Sequence, residues 1–173
     1  SLQVFAQNTV GNGGDVVICK DSIELLDLME AKMLHTFTLR KLEDKATYKE
    51  RIKELLQGIK KLDPKLYEHY ETVLRELDKR IKFIVKAKFR DIPDSLEIAI
   101  GEDCELKQAA IAQNLKGQNV IHLDEELWRK LTQETQAALI LHEMIYEHFI
   151  YLGEKNSIKV RKFNALLHSE ELL

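Results

Sequence analysis

The stretch Ala137-Ala138-Leu139-Ile140-Leu141-His142-Glu143-Met144-Ile145-Tyr146 decides the reading of this chain. Thr132 is placed to cap the helix that carries this stretch, with acidic Glu134 in the first turn. Gly153 marks the stop. With His142 at zero on a helical wheel, Ala138, Ile145 and Phe149 fall just to one side, and Leu141 and Leu152 complete that face. Tyr146 lies about 40° to the other side, Glu143 at about 100° and Glu147 at about 140°. Apolar residues occur almost all round, which predicts a buried helix. A buried carboxylate is costly unless paired, hydrogen-bonded or metal-linked. Two carboxylates on one face also raise one another's pKa. Glu143 and Glu147 therefore need compensation. Arg161 is the preferred partner, with Lys159 and Lys162 weaker ones and a metal near His142 the other solution.

Working outward, Val16-Val17-Ile18-Cys19 reads as a short strand, after a turn-rich leader over residues 1–15 with Gly11, Gly13 and Gly14. From Asp21 a helical pattern follows, through Ile23, Leu26, Met29, Glu30, Met33 and Phe37. A second helix is predicted from Thr47 to Lys61. A third opens at Asp63-Pro64 and carries an apolar stripe as far as Ile84. Lys and Glu on these helices, such as Glu76 and Arg80, read as solvated outer faces. Ser95 to Ile100 alternates like a strand, Cys104 to Gln113 is ambiguous, and Gly117-Gln118-Asn119 is a turn. Val120 to Leu123 reads as a strand, Glu125 to Leu131 as a short helix, and Ser157 to Ser169 as the last helix. The expected fold is α+β and predominantly helical, a small sheet packing on the central helix, in a single domain over residues 16–173.

Length and composition agree with one domain holding a sizeable core. The chain has 173 residues, 45% hydrophobic and 32% charged. A net charge of −3 makes no case for nucleic-acid binding. No apolar run approaches the roughly 18 residues of a membrane span. The chain starts at Ser1 without the basic and apolar regions of a signal peptide. A mature exported product and a trimmed chain both fit. Cys19 and Cys104 stand far apart and in no C-x-x-C, which disfavours a cysteine-based zinc site. One long-range disulfide and two buried thiols both remain open.

The chemistry of the central helix turns on one substitution. In H-E-x-x-H, two histidines four apart share a face and grip zinc, and the glutamate activates water. Here His142 and Glu143 are present, and Tyr146 stands where the second histidine would be. Tyrosine can ligate zinc, at a cost set by its pKa near 10. His148 lies about 120° round the helix from His142 and cannot share its ion. The reversed motif H-x-x-E-H fails at Met144. His122 and His168 are further candidates placed only by the fold. His35 and His69 lie on charged helices and read as surface residues, and Trp128 as core.

Beyond the motif, the order of elements from about residue 95 to 152 resembles the core of a minimal zincin metallopeptidase. A strand near Ile100, a second at Val120 to Leu123, a short helix with Trp128, and Thr132-Gln133-Glu134 lead into the His-Glu helix. The chain also resembles a group of exported, uncharacterised bacterial proteins. These carry His-Glu-x-x-Tyr, then Gly and Ser-x-x-x-Arg-x-x-Asn, matched here by His142, Glu143, Tyr146, Gly153, Ser157, Arg161 and Asn164. Gly13-Gly14-Asp15, Cys19, Cys104 and Gln108 extend the match. Arg often follows the Tyr in that group, where this chain has Glu147. The resemblance implies a periplasmic or secreted location and brings no activity.

Two functions follow. One is an atypical metal-dependent peptidase, with zinc on His142, Glu143 as general base and Tyr146 completing the shell. The other is a non-catalytic zincin-like module that binds a peptide or protein partner in the envelope. In it Glu143, Glu147 and Arg161 would form a buried structural network. The missing ligand favours the second. The charged helices of residues 22–90, as a protein-docking surface, fit either.

Overall fold

The computed structural model describes residues 14–42, 46–89, 96–115 and 118–172. The predicted leader lies outside these residues except for Gly14 and Asp15, as does Ser95 of the predicted strand and Gly117 of the predicted turn. The chain is α+β. In order come β1 (Asp15–Cys19), β2 (Ser22–Leu25), α1 (Leu26–Met33), α2 (Tyr48–Lys60), α3 (Pro64–Arg80), β3 (Ile81–Ile84), β4 (Glu105–Gln108), β5 (Ala110–Leu115), β6 (Gln118–Asp124), α4 (Glu125–Trp128), α5 (Gln133–Tyr151) and α6 (Ile158–Leu167). The strands form two three-stranded sheets, ordered β2-β1-β4 and β3-β6-β5. The first is antiparallel. In the second, β6 pairs antiparallel with β5 and parallel with β3. The Ala109 amide donates to the Gly14 carbonyl, and the Asp124 amide to that of Ala109, so the sheets meet at Ala109.

Helix α5 runs through the middle of the core, and every residue from Thr135 to Tyr146 is buried. Its ends follow local chemistry. The Thr132 hydroxyl accepts from the Thr135 amide at 3.1 Å. At the other end Gly153 takes φ +95°, the left-handed region that favours glycine. The Gly153 amide donates to Ile150 and that of Glu154 to Phe149, the paired bonds of a Schellman stop. Ile52, Leu55, Leu56 and Ile59 of α2 join α5 in the core, with Tyr70, Leu74 and Leu77 of α3. Thr47 and Glu50 form a reciprocal cap on α2, and Asp63 caps α3 with Pro64 in its first turn.

Four predicted elements change, one of them the turn at Gly117-Gln118-Asn119, whose Gln118 and Asn119 open β6. The helix expected from Asp21 starts only at Leu26, because Ser22–Leu25 forms a hairpin with β1, Val16 opposite Leu25 and Cys19 opposite Ser22. Ile23 and Leu26 fit a helical stripe, but Ile23 and Leu25 equally fit strand alternation. The stripe of α3 stops at Arg80, and Ile81–Ile84 becomes the strand β3 beside β6. Ile81 and Ile84 are half-buried, and their spacing of three continues the helical stripe, so local pattern alone does not reveal the strand. Residues 96–100 form no strand. The ambiguous stretch from Cys104 to Gln113 resolves into β4 and most of β5.

Cys19 and Cys104 are joined in a disulfide that ties the end of β1 to the residue before β4. It closes a loop with a sequence separation of 85. On chain-entropy grounds such a crosslink stabilises by about 4–5 kcal/mol. The Cys19→Ser/Cys104→Ser protein is expected to unfold at clearly lower urea with a larger m-value, since its unfolded chain is less restrained. An unchanged urea midpoint would refute a stabilising crosslink.

Candidate functional site

Helix α5 brings His142, Glu143 and Tyr146 into contact with α1, α6 and the start of β1. His142 and Glu143 are each 1% exposed. His142 Nδ1 donates to Asp27 Oδ2 at 2.8 Å and lies 3.1 Å from Oδ1. Asn164 Nδ2 donates to the same Asp27 Oδ2 at 2.7 Å and to the Ala138 carbonyl at 2.9 Å. One turn along α1, Glu30 Oε2 accepts from Arg161 Nε at 2.8 Å. Arg161 Nη1 in turn donates to Ser157 Oγ at 2.6 Å. Glu143 Oε1 accepts from the Gly14 amide at 2.6 Å. The Tyr146 ring lies 8° from parallel to the His142 ring, with centres 6.1 Å apart.

The spacing explains the convergence. Asp27 and Glu30 are three apart on α1, and Arg161 and Asn164 are three apart on α6, so each pair shares one helix face. Asp27 meets Asn164 and Glu30 meets Arg161, the reversed order that antiparallel helices require. Gly14 is fixed by close approach. A Cβ there would lie 2.3 Å from Leu139 Cδ1, so a larger residue would force that buried side chain to shift.

Charge in this cluster is mutually compensated. Burial works against the His142 imidazolium. The charge and hydrogen bond of Asp27, with the charges of Glu143 and Asp15, outweigh it and push the pKa up to about 9. Burial likewise opposes the Asp27 carboxylate. The charge and hydrogen bond of His142, the hydrogen bond of Asn164 and the charge of Arg161 hold its pKa below the usual range. Burial raises the Glu143 pKa, and the charge of His142 and the Gly14 hydrogen bond only partly offset it. Burial also raises Glu30, against the hydrogen bond and charge of Arg161.

The predicted site residues separate into two groups. His142, Glu143, Tyr146 and Arg161 are buried together. Glu147 is not in that cluster. Its side chain is 29% exposed and pairs with Arg80 at the end of α3. Arg161, expected to compensate Glu143 and Glu147, instead serves Glu30. Of the weaker partners, Lys159 pairs with Glu154 at the surface. His168 Nδ1 is hydrogen-bonded to the Asn164 carbonyl at 2.9 Å, and burial pulls its pKa down to about 4. His122 sits on β6 with both ring nitrogens buried and without a hydrogen-bond partner among the described residues. His148 meets the Tyr70 hydroxyl instead of His142. Trp128 is half-buried, edge-on to Tyr48. Asp27 and Glu30 are the functional-type residues that sequence reasoning missed. Their signal was two acids three apart on a short helix otherwise led by Leu26, Leu28 and Ala31.

Two further atoms at the centre bear on chemistry. His142 Nε2 and Glu143 Oε2 are buried with no hydrogen-bond partner among the described residues. A catalytic zinc takes three protein ligands plus water. Among the described residues no group of three or more His, Cys, Asp or Glu side chains is placed to hold an ion, so this donor set falls short of such a centre. Two surface hollows lie elsewhere, one lined by Lys88, Phe89, Lys107 and Asp124, the other by Arg40, Lys41, Arg51 and Gln133. Among the described residues no helix is long and apolar enough to cross a membrane. No protein-family model, no curated protein and no solved structure matches the chain.

Removing one partner of a buried ion pair strands the other. Arg161→Met is therefore expected to lose about 3–5 kcal/mol in urea unfolding, as Glu30 is left buried without its cation. Arg161→Lys should recover only part, because an ammonium cannot reproduce the fork that spans Glu30 and Ser157. A loss below about 1 kcal/mol in Arg161→Met would contradict a paired, desolvated Glu30.

The pH dependence has a defined sign. A His142 pKa raised to about 9 means the folded state binds its proton more tightly than the unfolded chain. That stability is complete below about pH 6.5. It is lost as pH rises from there through about 9. Unfolding free energy of the chelator-treated protein should fall over this window by an amount on the order of 3 kcal/mol. The same scan on His142→Gln should lack the slope. Equal slopes would show that His142 is not the titrating group.

Proposed function

We propose that this chain is an exported, non-catalytic zincin-like module that binds a peptide or protein partner in the cell envelope. Its degenerate metallopeptidase-type site serves as a buried polar core. One observation carries this reading. The groups that would do the chemistry are sealed inside, His142 bonded through Nδ1 to Asp27 and Glu143 through Oε1 to the Gly14 amide. Tyr146, in place of the second histidine, stacks beside His142 in the same interior. The Cys19–Cys104 disulfide is compatible with an oxidising, extracytoplasmic compartment. The Lys- and Glu-rich outer faces of α2 and α3 offer a partner a charged surface.

A second reading, an atypical metal-dependent peptidase using His142, Glu143 and Tyr146, is favoured by a different observation. Metal-ligating histidines usually give their other ring N–H to a carboxylate. Asp27 holds Nδ1 in that manner, and His142 Nε2 and Glu143 Oε2 lie buried without partners among the described residues. This reading needs ligands beyond the described residues.

Elemental analysis of the zinc-exposed protein, beside His142→Ala, separates the two. The module reading expects zinc content to be the same in both proteins. Near-stoichiometric zinc lost on His142→Ala would overturn it and justify a peptidase search with Glu143→Gln as the inactive control.

A further inference from the structure

A second polar cluster lies where α3 meets α5, about 120° round α5 from His142. His69 and Tyr70 are on α3, and His148 is on α5. The Tyr70 hydroxyl and His148 Nδ1 are 2.9 Å apart. The rings of His69 and His148 have centres 5.0 Å apart and planes inclined at 50°. Tyr70 is buried, His148 half-buried and His69 exposed, so the pair is anchored from below and open to solvent. Arg80 and Glu147 link the same two helices, which gives the histidines a fixed frame.

Two imidazoles on one ion, each nitrogen about 2.1 Å from it, place their ring centres about 5.2 Å apart at a tetrahedral angle. The His69–His148 separation fits that value. Packing alone can also bring two rings this close. The buried phenol is the independent feature. A ligating histidine is normally held by a hydrogen bond to its other nitrogen, which fixes ring and tautomer. An ion on His148 Nε2 requires the tautomer in which Nδ1–H donates to the Tyr70 oxygen, and the 2.9 Å separation allows that bond. We propose that His69 and His148 form a two-imidazole site for a divalent transition-metal ion of the Zn2+ or Ni2+ class, with Tyr70 orienting His148 and water filling the remaining positions. Imidazole nitrogen suits these ions. An ion held from both helices binds the folded form and so raises its stability. The site is separate from the His142 cluster and independent of either reading of it.

The test is calorimetric titration of the metal-free chain with Zn2+ and, separately, Ni2+ at pH 7.5, alongside thermal midpoints. Wild type and His142→Ala are expected to take up one ion and to melt higher with it. Binding should weaken at least about 100-fold in His69→Ala, and about tenfold in Tyr70→Phe, which keeps both ligands but loses the orienting hydroxyl. His69 is exposed, so its alanine variant keeps the fold, which far-UV circular dichroism checks. Equal binding by wild type and His69→Ala, or no binding by wild type, overturns the proposal. Loss in His142→Ala with retention in His69→Ala also overturns it and moves the ion to the central cluster.

Discussion

Helix α5 has no face directed at water over residues Thr135 to Tyr146, yet it carries an imidazole and a carboxylate side by side. Each would cost several kcal/mol to bury alone. The surrounding architecture answers that constraint. Asp27 supplies the counter-charge to His142, and Asn164 holds Asp27 in place while tying α6 to the Ala138 carbonyl. Glu30 and Arg161 form a second pair one turn away. Burial raises the Glu143 pKa, and the charge of His142 and the Gly14 amide only partly offset it.

This cluster ties together parts of the chain that apolar packing alone would leave free to slide. Hydrocarbon contacts between α1 and α6 could be made in more than one register. Asp27 opposite Asn164 and Glu30 opposite Arg161 can be made in one. At the other side, the Gly14 amide fixes the start of β1 against Glu143, and the Cys19–Cys104 bridge fixes its end against β4. The buried Gly14–Glu143 hydrogen bond therefore helps hold the first sheet to the central helix, and the disulfide closes its far end.

Much of this was readable in the residues. The central helix was legible in full, because its caps, its stop glycine and its nearly continuous apolar circumference all point the same way. The same holds for α2, α6 and most of α3. The failures share a cause. Ile23, Leu25 and Leu26 satisfy helical and strand spacing together, while Ile81 and Ile84 keep the helical spacing of α3, and in both places only pairing with a distant strand decides. The site was half legible. His142, Glu143 and Tyr146 stand in a recognisable pattern. Their partners do not, since Asp27 is 115 residues from His142 and Glu30 is 131 from Arg161. In sequence Arg161 reads as the partner of the acids of α5. The antiparallel docking of α1 on α6, which no local spacing reveals, sent it elsewhere.

The geometry also bears on what a substitution at position 146 does to such a helix. A second histidine there would share the face of His142 and add another group that seeks an ion or a proton in a dry interior. A tyrosine ring instead lies parallel to the imidazole and adds largely apolar surface. With Tyr146 in place, the charge of His142 is met by Asp27 through Nδ1. A buried ion pair is weak evidence for stability when compared with apolar packing of the same volume. What it supplies is discrimination, because every wrong register of α1, α5 or α6 leaves a charge stranded. That requirement accounts for Arg161 and Asn164 lying on one face of α6, opposite Glu30 and Asp27.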